Sequence, residues 1–202
     1  MNRSLVILFL LIVGFNAAKA QFAENNAIYY SDGLNFGNYY GLDVNLNYVY
    51  KEKYSVKVGY IYNRRKPKSQ PDDYSTGLAN ALLFGATSPH DRMENYQVAI
   101  GKIYRINENR SIRLNLLFGL AYTVIREPEN WQKTTSGFLA ENYSWNYEKQ
   151  NTVSLVINPR IEFPFTRVYG FSVSPMVQIN KDRTCFGIGV GQMIGLLRSG
   201  DY

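Results

Sequence analysis

The chain has 202 residues, of which 22 are Lys or Arg and 16 are Asp or Glu, so its formal net charge is +6. This excess is small and scattered, which argues against a nucleic-acid partner. A single histidine and a single cysteine exclude an internal disulfide and make a metal site unexpected, and we expect no cofactor. The 17 tyrosines and 16 glycines indicate β structure.

The first 20 residues have the layout of a secretory signal peptide. Arg3 precedes an apolar run at residues 5–15, and Ala18-Lys19-Ala20 supplies the small residues that signal peptidase reads. No later run reaches the roughly 18 apolar residues of a membrane-spanning helix. We therefore expect an exported protein, with a signal peptide at 1–20 and one mature domain at 21–202.

Alternation of apolar and polar residues predicts eight β-strands. The first is a short strand at 27–31, followed by a Gly/Asn-rich turn at 32–37. The other strands are predicted at 40–50, 54–62, 95–101, 111–125, 153–163, 169–179 and 186–197. The run at 111–125 is long enough for a tilted membrane-crossing strand, which needs roughly 9–11 residues.

The connections alternate in length. An even number of strands puts both termini on one side, together with the short connections at 51–53, 107–110 and 164–167. The long segments 64–92 and 126–149 then lie on the opposite side. Short turns at one end and long loops at the other are typical of a bacterial outer-membrane barrel. Within the first long segment, Asp73 or Ser75 could cap a short helix at 76–84.

Alternation alone does not say which face of the barrel is outside, because a lipocalin-like soluble ligand carrier also alternates. Here the aromatic residues collect at both ends of the apolar rows, with aliphatic residues between them, which is typical of the two interfaces of a bilayer. The opposite face carries small polar residues, which suit the narrow interior of eight strands. We predict an all-β fold: an eight-stranded antiparallel up-and-down transmembrane β-barrel with a filled lumen.

A few charged residues fall on the face predicted to line the lumen. They are Asp43, Lys57, Arg113, Arg160 and Glu162. Charges in a filled interior must be paired and hydrogen-bonded, so we predict a buried ionic and amide network that these residues form with Asn47, Asn115 and Asn158. Its simplest role is to plug the barrel.

These features support a resemblance to a known group. The Ala-Lys-Ala cleavage motif, the strand Asn38–Tyr48, the turn spacing and the glycine-alternating last strand resemble the small eight-stranded outer-membrane barrels of the OmpA and OmpX kind. The resemblance implies a Gram-negative outer-membrane location and roles that range from membrane tethering and adhesion to rim-borne enzymes. Pro159 and Pro175 depart from the pattern, because each removes a ladder donor, and a bulge would reconcile them.

A basic run lies just beyond the upper aromatic residues. It comprises Arg64, Arg65, Lys66 and Lys68. Cations at this height would meet lipopolysaccharide phosphates, which Arg and Lys bind well. The alternative is a solvated turn.

The second long segment is rich in aromatic residues among amides and hydroxyls. Trp131, Tyr143 and Trp145 are the candidates for surface recognition, since exposed rings with amides suit sugar- and protein-binding surfaces. The alternative is that these rings pack on one another or join the upper girdle.

The lone histidine, His90, stands beside Ser88 and Asp91, a set that some rim-borne hydrolases use. Residues this close along a loop seldom meet productively, so a solvated loop histidine is the simpler reading. We therefore expect no enzyme. We expect a structural or interaction protein that acts through loops 64–92 and 126–149 in membrane stabilisation, surface contact or an envelope complex with a protein partner. A rim-borne hydrolase or lipid A-modifying enzyme, a small porin and a soluble carrier are the alternatives.

Overall fold

The structure is a computed structural model that describes residues 26–82, 88–107, 111–134 and 140–197. Its elements are β1 (Ala27–Gly37), β2 (Tyr40–Tyr50), β3 (Tyr54–Arg65), α1 (Gly77–Leu82), β4 (Asp91–Arg105), β5 (Arg113–Lys133), β6 (Tyr143–Phe163), β7 (Tyr169–Ile179) and β8 (Thr184–Leu196). Each strand pairs antiparallel with the next, and β8 pairs with β1. The predicted closed eight-stranded up-and-down barrel is confirmed. The predicted signal peptide lies outside the described residues. Within the described residues, no helix is long and apolar enough to cross a membrane.

Two predicted connections are wrong. Residues 32–37 continue β1 instead of forming a turn, and Gly37 is needed there because a Cβ atom would lie 2.0 Å from the Phe186 carbonyl oxygen. Most of segment 126–149 is also strand, since β5 runs to Lys133 and β6 starts at Tyr143. This β5–β6 ribbon contains a bulge between Glu129 and Gln132.

The two strand prolines face each other without the predicted bulge. Pairing of β6 with β7 stops at Ile157 and Val177 and resumes in the same register four residues on. In the gap, Asn158 Nδ2 donates a hydrogen bond to the Pro175 carbonyl oxygen at 3.1 Å. A side-chain amide therefore stands in for a missing backbone donor.

The barrel wall is apolar outside and polar inside. Ile100, Leu120 and Val58 are 66%, 58% and 53% exposed, whereas Asn95 and Ser154 are fully buried in the lumen. Exposed tyrosines border this aliphatic band at both ends, for example Tyr40 and Tyr54. A soluble carrier would need the aliphatic band to point inward, so that alternative is wrong.

Side chains fill the lumen in layers. A lower apolar cluster contains Ala27, Tyr29, Val49, Ile103, Met193 and Leu197. Above it lie buried charges and then a layer of amides and hydroxyls, in which Gln178 Nε2 donates to Asn95 Oδ1 at 2.5 Å. An upper apolar cluster contains Tyr39, Ile61, Met93, Ile125, Met176 and Cys185. A water-filled channel through the barrel would require the side chains of these layers to move apart.

Candidate functional site

The lower lumen is centred on one buried carboxylate. Glu162 is fully buried and accepts hydrogen bonds from Tyr29 Oη at 2.8 Å, Asn115 Nδ2 at 3.2 Å and Arg113 Nε at 2.5 Å. Arg113 Nη1 also donates to the Leu197 carbonyl oxygen at 2.9 Å. One carboxylate thus ties β1, β5 and β6 together across the interior.

The other predicted lumen residues also point inward but bind separate partners. Lys57 Nζ donates to Asn158 Oδ1 at 2.7 Å, and Arg160 Nη1 donates to Ser31 Oγ at 3.0 Å. Asp43 accepts hydrogen bonds from Asn35 and Asn45. Among the five predicted residues, the structure therefore brings only Arg113 and Glu162 into direct contact.

A second ionic cluster closes the upper end of the lumen. Arg65 Nε binds Asp91 Oδ2 at 2.8 Å, and its guanidinium lies 4.5 Å from the centroid of the Tyr39 ring. Arg183 Nη2 binds both carboxylate oxygens of Glu127 at 2.5 Å. Arg65, which the sequence suggested as a lipopolysaccharide contact, is turned into this lid and is only 12% exposed.

Arg64 instead begins a row of cations on the outer face, which we call the basic row. It pairs in register with Arg92 on β4, Arg92 with Arg126 on β5, and Arg126 with Lys149 on β6. Among the four cations of the row, the described chain gives a carboxylate partner to Arg126 alone. Its Nη1 atom lies 2.6 Å from Oε1 of Glu94. The row begins on β3, where Arg64 pairs with the exposed Tyr40 on β2, and ends on β6 at Lys149.

Three members of the basic row escaped the sequence prediction. Arg92, Arg126 and Lys149 are far apart in sequence and look unremarkable singly. The available signal was their phase: each falls on the outward face of its strand, as Arg126 does two outward positions after Tyr122. Only the strand register aligns them.

A cleft of about 330 Å³ opens beside Arg64. Arg64, Lys66 and His90 line it together with Tyr40 and Tyr74. Lys66 is exposed at its rim, as is Lys68 just beyond it along the chain. Burial lowers the pKa of His90, so the imidazole is held neutral more firmly than in water. To an anionic ligand the cleft offers the cations of Arg64 and Lys66 and the rings of Tyr40 and Tyr74.

Ser88, His90 and Asp91 do not form the mutual hydrogen bonds of a hydrolase triad in this structure. His90 Nδ1 lies 2.6 Å from the Ser88 carbonyl oxygen, not from the Ser88 hydroxyl. That hydroxyl accepts a hydrogen bond from Asn80, and Asp91 is occupied by Arg65. A nucleophile, base and orienting acid need to be in mutual hydrogen-bonding reach.

The two long segments are fastened together above the barrel into what we call the crown, which comprises described residues 66–82, 88–90, 126–134 and 140–149. Asp73 binds Lys133 Nζ at 2.7 Å and Tyr143 Oη at 2.6 Å, and these hydrogen bonds lower the pKa of the Asp73 carboxyl. Ser69 Oγ donates to the Pro128 carbonyl oxygen at 2.7 Å. The crown is one unit rather than two independent loops.

An aromatic cluster forms one surface of the crown. The Tyr74 ring centroid lies 5.5 Å from that of Trp131 and 6.2 Å from that of Trp145. Trp131 also packs on Tyr143 and Trp145. All four rings are partly exposed, so they pack on one another and still present ring surface to solvent. Tyr74, contributed by the other segment, was not among the predicted residues.

The chain resembles known proteins in structure but not in sequence. No family model and no curated protein sequence matches the chain. A major outer membrane protein from Thermus thermophilus is similar in structure, with 11% identity over 84% of this chain and 98% of that chain and a TM-score of 0.53. Neisserial surface protein A has 9% identity over 85% and 96%, with a TM-score of 0.49. Ail of Yersinia pestis has 15% identity over 85% and 98%, with a TM-score of 0.48. The fold is that of outer-membrane β-barrels.

Proposed function

We propose that this barrel resides in the outer membrane and serves there as a structural or interaction protein, contacting lipopolysaccharide with the basic row and a surface ligand with the crown. The observation that carries the proposal is the crown itself, a fastened, aromatic-faced platform above a lumen packed with side chains. A wall of exposed aliphatic residues supports membrane residence, since a surface of this kind is unfavourable in water. Density fractionation of cell envelopes tests residence, and recovery in the soluble periplasm would refute it.

Lipopolysaccharide is the proposed lipid contact because it carries phosphates, which are the anions that a row of outward-facing cations above the aliphatic band would bind. Arg pairs with phosphate through two parallel hydrogen bonds, so aligned arginines suit a surface of closely spaced phosphates. Neutralising the row leaves the barrel interior untouched, because Arg64, Arg92 and Arg126 point away from the lumen.

The test compares thermal unfolding in nanodiscs with and without lipopolysaccharide. We expect lipopolysaccharide to raise the unfolding temperature of the wild type and to have little effect on an Arg64→Gln, Arg92→Gln, Arg126→Gln variant. Lys51→Gln, Lys53→Gln is the matched control, because these exposed lysines occupy the turn at the opposite end. An equal response in both variants would mean that the row does not bind lipopolysaccharide.

The crown is proposed to bind its ligand with the rings of Trp131 and Trp145. Rigid aromatic side chains give large contact area at low entropy cost. Both tryptophans of the chain lie in the crown, so intrinsic tryptophan fluorescence reports on this site alone. Titration with envelope polysaccharide should quench or shift the emission, and Trp145→Phe should weaken binding by at least tenfold. No spectral change with any surface polysaccharide would refute saccharide recognition.

We favour this role over a porin and over an enzyme. The layered lumen supports a barrier rather than a channel, and planar-bilayer recordings should show no conductance steps. For catalysis, a His90→Ala variant should leave the lipid A profile and the hydrolysis of ester and peptide substrates unchanged. Loss of an activity in that variant alone would establish the rim enzyme.

A further inference from the structure

An acidic side chain faces outward in the middle of the aliphatic band. Asp32 is the central residue of β1, with Tyr30 and Leu34 as its neighbours on the same outward face. Across the ladder it pairs with Val44 on β2 and with Gln192 on β8. Its position is midway between the two ends of the wall, far from both aqueous interfaces.

The polar contacts of Asp32 do not neutralise its charge. Gln192 Nε2 donates to Asp32 Oδ2 at 3.3 Å, and the Tyr30 hydroxyl is a second donor. In the described chain, no Lys or Arg nitrogen lies within 4.0 Å of the Asp32 carboxylate. A carboxylate facing hydrocarbon is costly and calls for a partner with positive charge.

The carboxylate lies in a groove rather than on a flat wall. The groove has a volume of about 420 Å³, runs over β8, β1 and β2, and is bordered by Phe171 on β7. Its apolar lining is supplied by Tyr30, Leu34, Leu42, Val44, Phe171 and Val190. The floor of the groove includes the backbone of Gly33 and Gly191.

A second carboxylate lies directly behind this floor. A Cβ atom on Gly33 would stand 2.9 Å from Oδ1 of Asp43, which projects into the lumen from β2. The hydrogen-bond partners of Asp43 are the uncharged amides of Asn35 and Asn45. The two acids thus lie on opposite sides of one thin wall, and Asp32 is the one whose side chain faces the groove.

We propose that the β8–β1–β2 groove docks a membrane-spanning segment of a different protein, one that places a Lys or Arg side chain against Asp32. The inference rests on the proposed outer-membrane residence. Charge complementarity chooses the occupant. A second copy related by twofold symmetry would bring two Asp32 carboxylates together, and lipid headgroups lie at the interfaces rather than at mid-height. Lys102, on the outer face of β4, pairs with Tyr54 at the lower girdle and not at the height of Asp32.

The test is photo-crosslinking in the membranes of the native organism. A photoreactive phenylalanine replaces Leu42 or Val190 at the groove. Leu120 on β5 is the matched control, because it lies on the opposite wall and is at least as exposed, at 58% against 45% and 50%. We expect the two groove positions to give one protein adduct that the control does not give. Mass spectrometry should place the crosslink in a membrane-spanning segment that contains Lys or Arg.

Charge variants then test the role of Asp32. Asp32→Asn keeps the shape of the side chain and should reduce the adduct at least tenfold, and Asp32→Lys should abolish it. Reversing the partner's cation to Asp should restore the adduct of the Asp32→Lys barrel. Heat-modifiable electrophoresis checks folding, and Asp32→Leu should fold with unchanged or higher stability because it removes a charge from the lipid-facing wall.

Several results would overturn the inference. These are an adduct that Asp32→Asn leaves unchanged, a dimer of this chain, lipid adducts only, equal labelling from Leu120, or a crosslinked segment without a cation. If the barrel fractionates with the outer membrane and gives any of these results, the docking site alone is wrong. If the barrel is absent from the outer membrane, the proposed function fails and this inference fails with it.

Discussion

Replacing Glu162 by Gln should be among the most destabilising single changes in the barrel. The substitution conserves shape but removes the negative charge that compensates Arg113, whose side chain is only 7% exposed. It also places an amide N–H group or an uncharged oxygen opposite Arg113 Nε and weakens the hydrogen bonds from Tyr29 and Asn115. Breaking a buried ion pair by removing one partner costs about 3–5 kcal/mol, and we expect a loss in this range.

Reversible unfolding by guanidinium in lipid vesicles measures this loss. Glu94→Gln is the control, because Glu94 forms the same kind of ion pair with Arg126 on the outer surface, where Arg126 is 38% exposed and the expected loss is about 0–1 kcal/mol. A Glu162→Gln, Arg113→Met variant should recover at least half of the loss, since it removes the unpaired cation. If Glu162→Gln costs no more than Glu94→Gln, the lower network contributes nothing beyond filling space.

Three further predictions concern other layers of the molecule. Asn158→Leu should lower the free energy of unfolding by about 2–4 kcal/mol in the same assay, because it leaves the Lys57 ammonium and the Pro175 carbonyl without their hydrogen-bond partner. A loss below about 0.5 kcal/mol would show that water replaces the amide. Gly119→Ala should cost about 1–3 kcal/mol, since its Cβ atom would lie 2.2 Å from the Val98 carbonyl oxygen, and an unchanged unfolding midpoint would contradict this close approach. Burial lowers the pKa of His90 below its ordinary value of 6.5. The crown should therefore have its full stability above pH 6.5 and lose stability as the pH falls through the lowered pKa. An NMR titration midpoint at or above 6.5 would refute the burial of the imidazole.

The period-two alternation was enough to predict the barrel, because lipid on one side and a narrow lumen on the other impose opposite polarity on successive residues. The prediction failed in two segments where apolar and polar residues do not alternate. Residues 32–37 contain Asp32, Gly33 and Gly37, which read as a turn, yet the close approach of β1 to β8 requires small residues in a strand. The β5–β6 ribbon extends beyond the aliphatic band of the wall, where both of its faces are open to solvent and the alternation fades.

The candidate sites were less predictable, because they depend on register. The inward face could be identified from phase alone, and it correctly gathers Lys57, Arg160 and Glu162 in the interior. The sequence does not show which of these side chains contact each other. Those contacts depend on how far each side chain extends across the lumen, which the strand register and the rotamers determine. The basic run illustrates the same limit: adjacent residues Arg64 and Arg65 point to opposite sides of the wall.

The packing of the lumen bears on where any function must reside. An ionic lid at the top, two apolar clusters and a buried ionic network leave the interior occupied from end to end in the described chain. The interior side chains therefore fill and tie the barrel, and the recognition that we propose falls to the crown and to the outer wall. On that wall most residues at mid-height are aliphatic, as a lipid-facing surface requires. Asp32 and Gln192 break this rule without contributing to the core, and a costly exception of this kind is expected at an interface with another membrane protein.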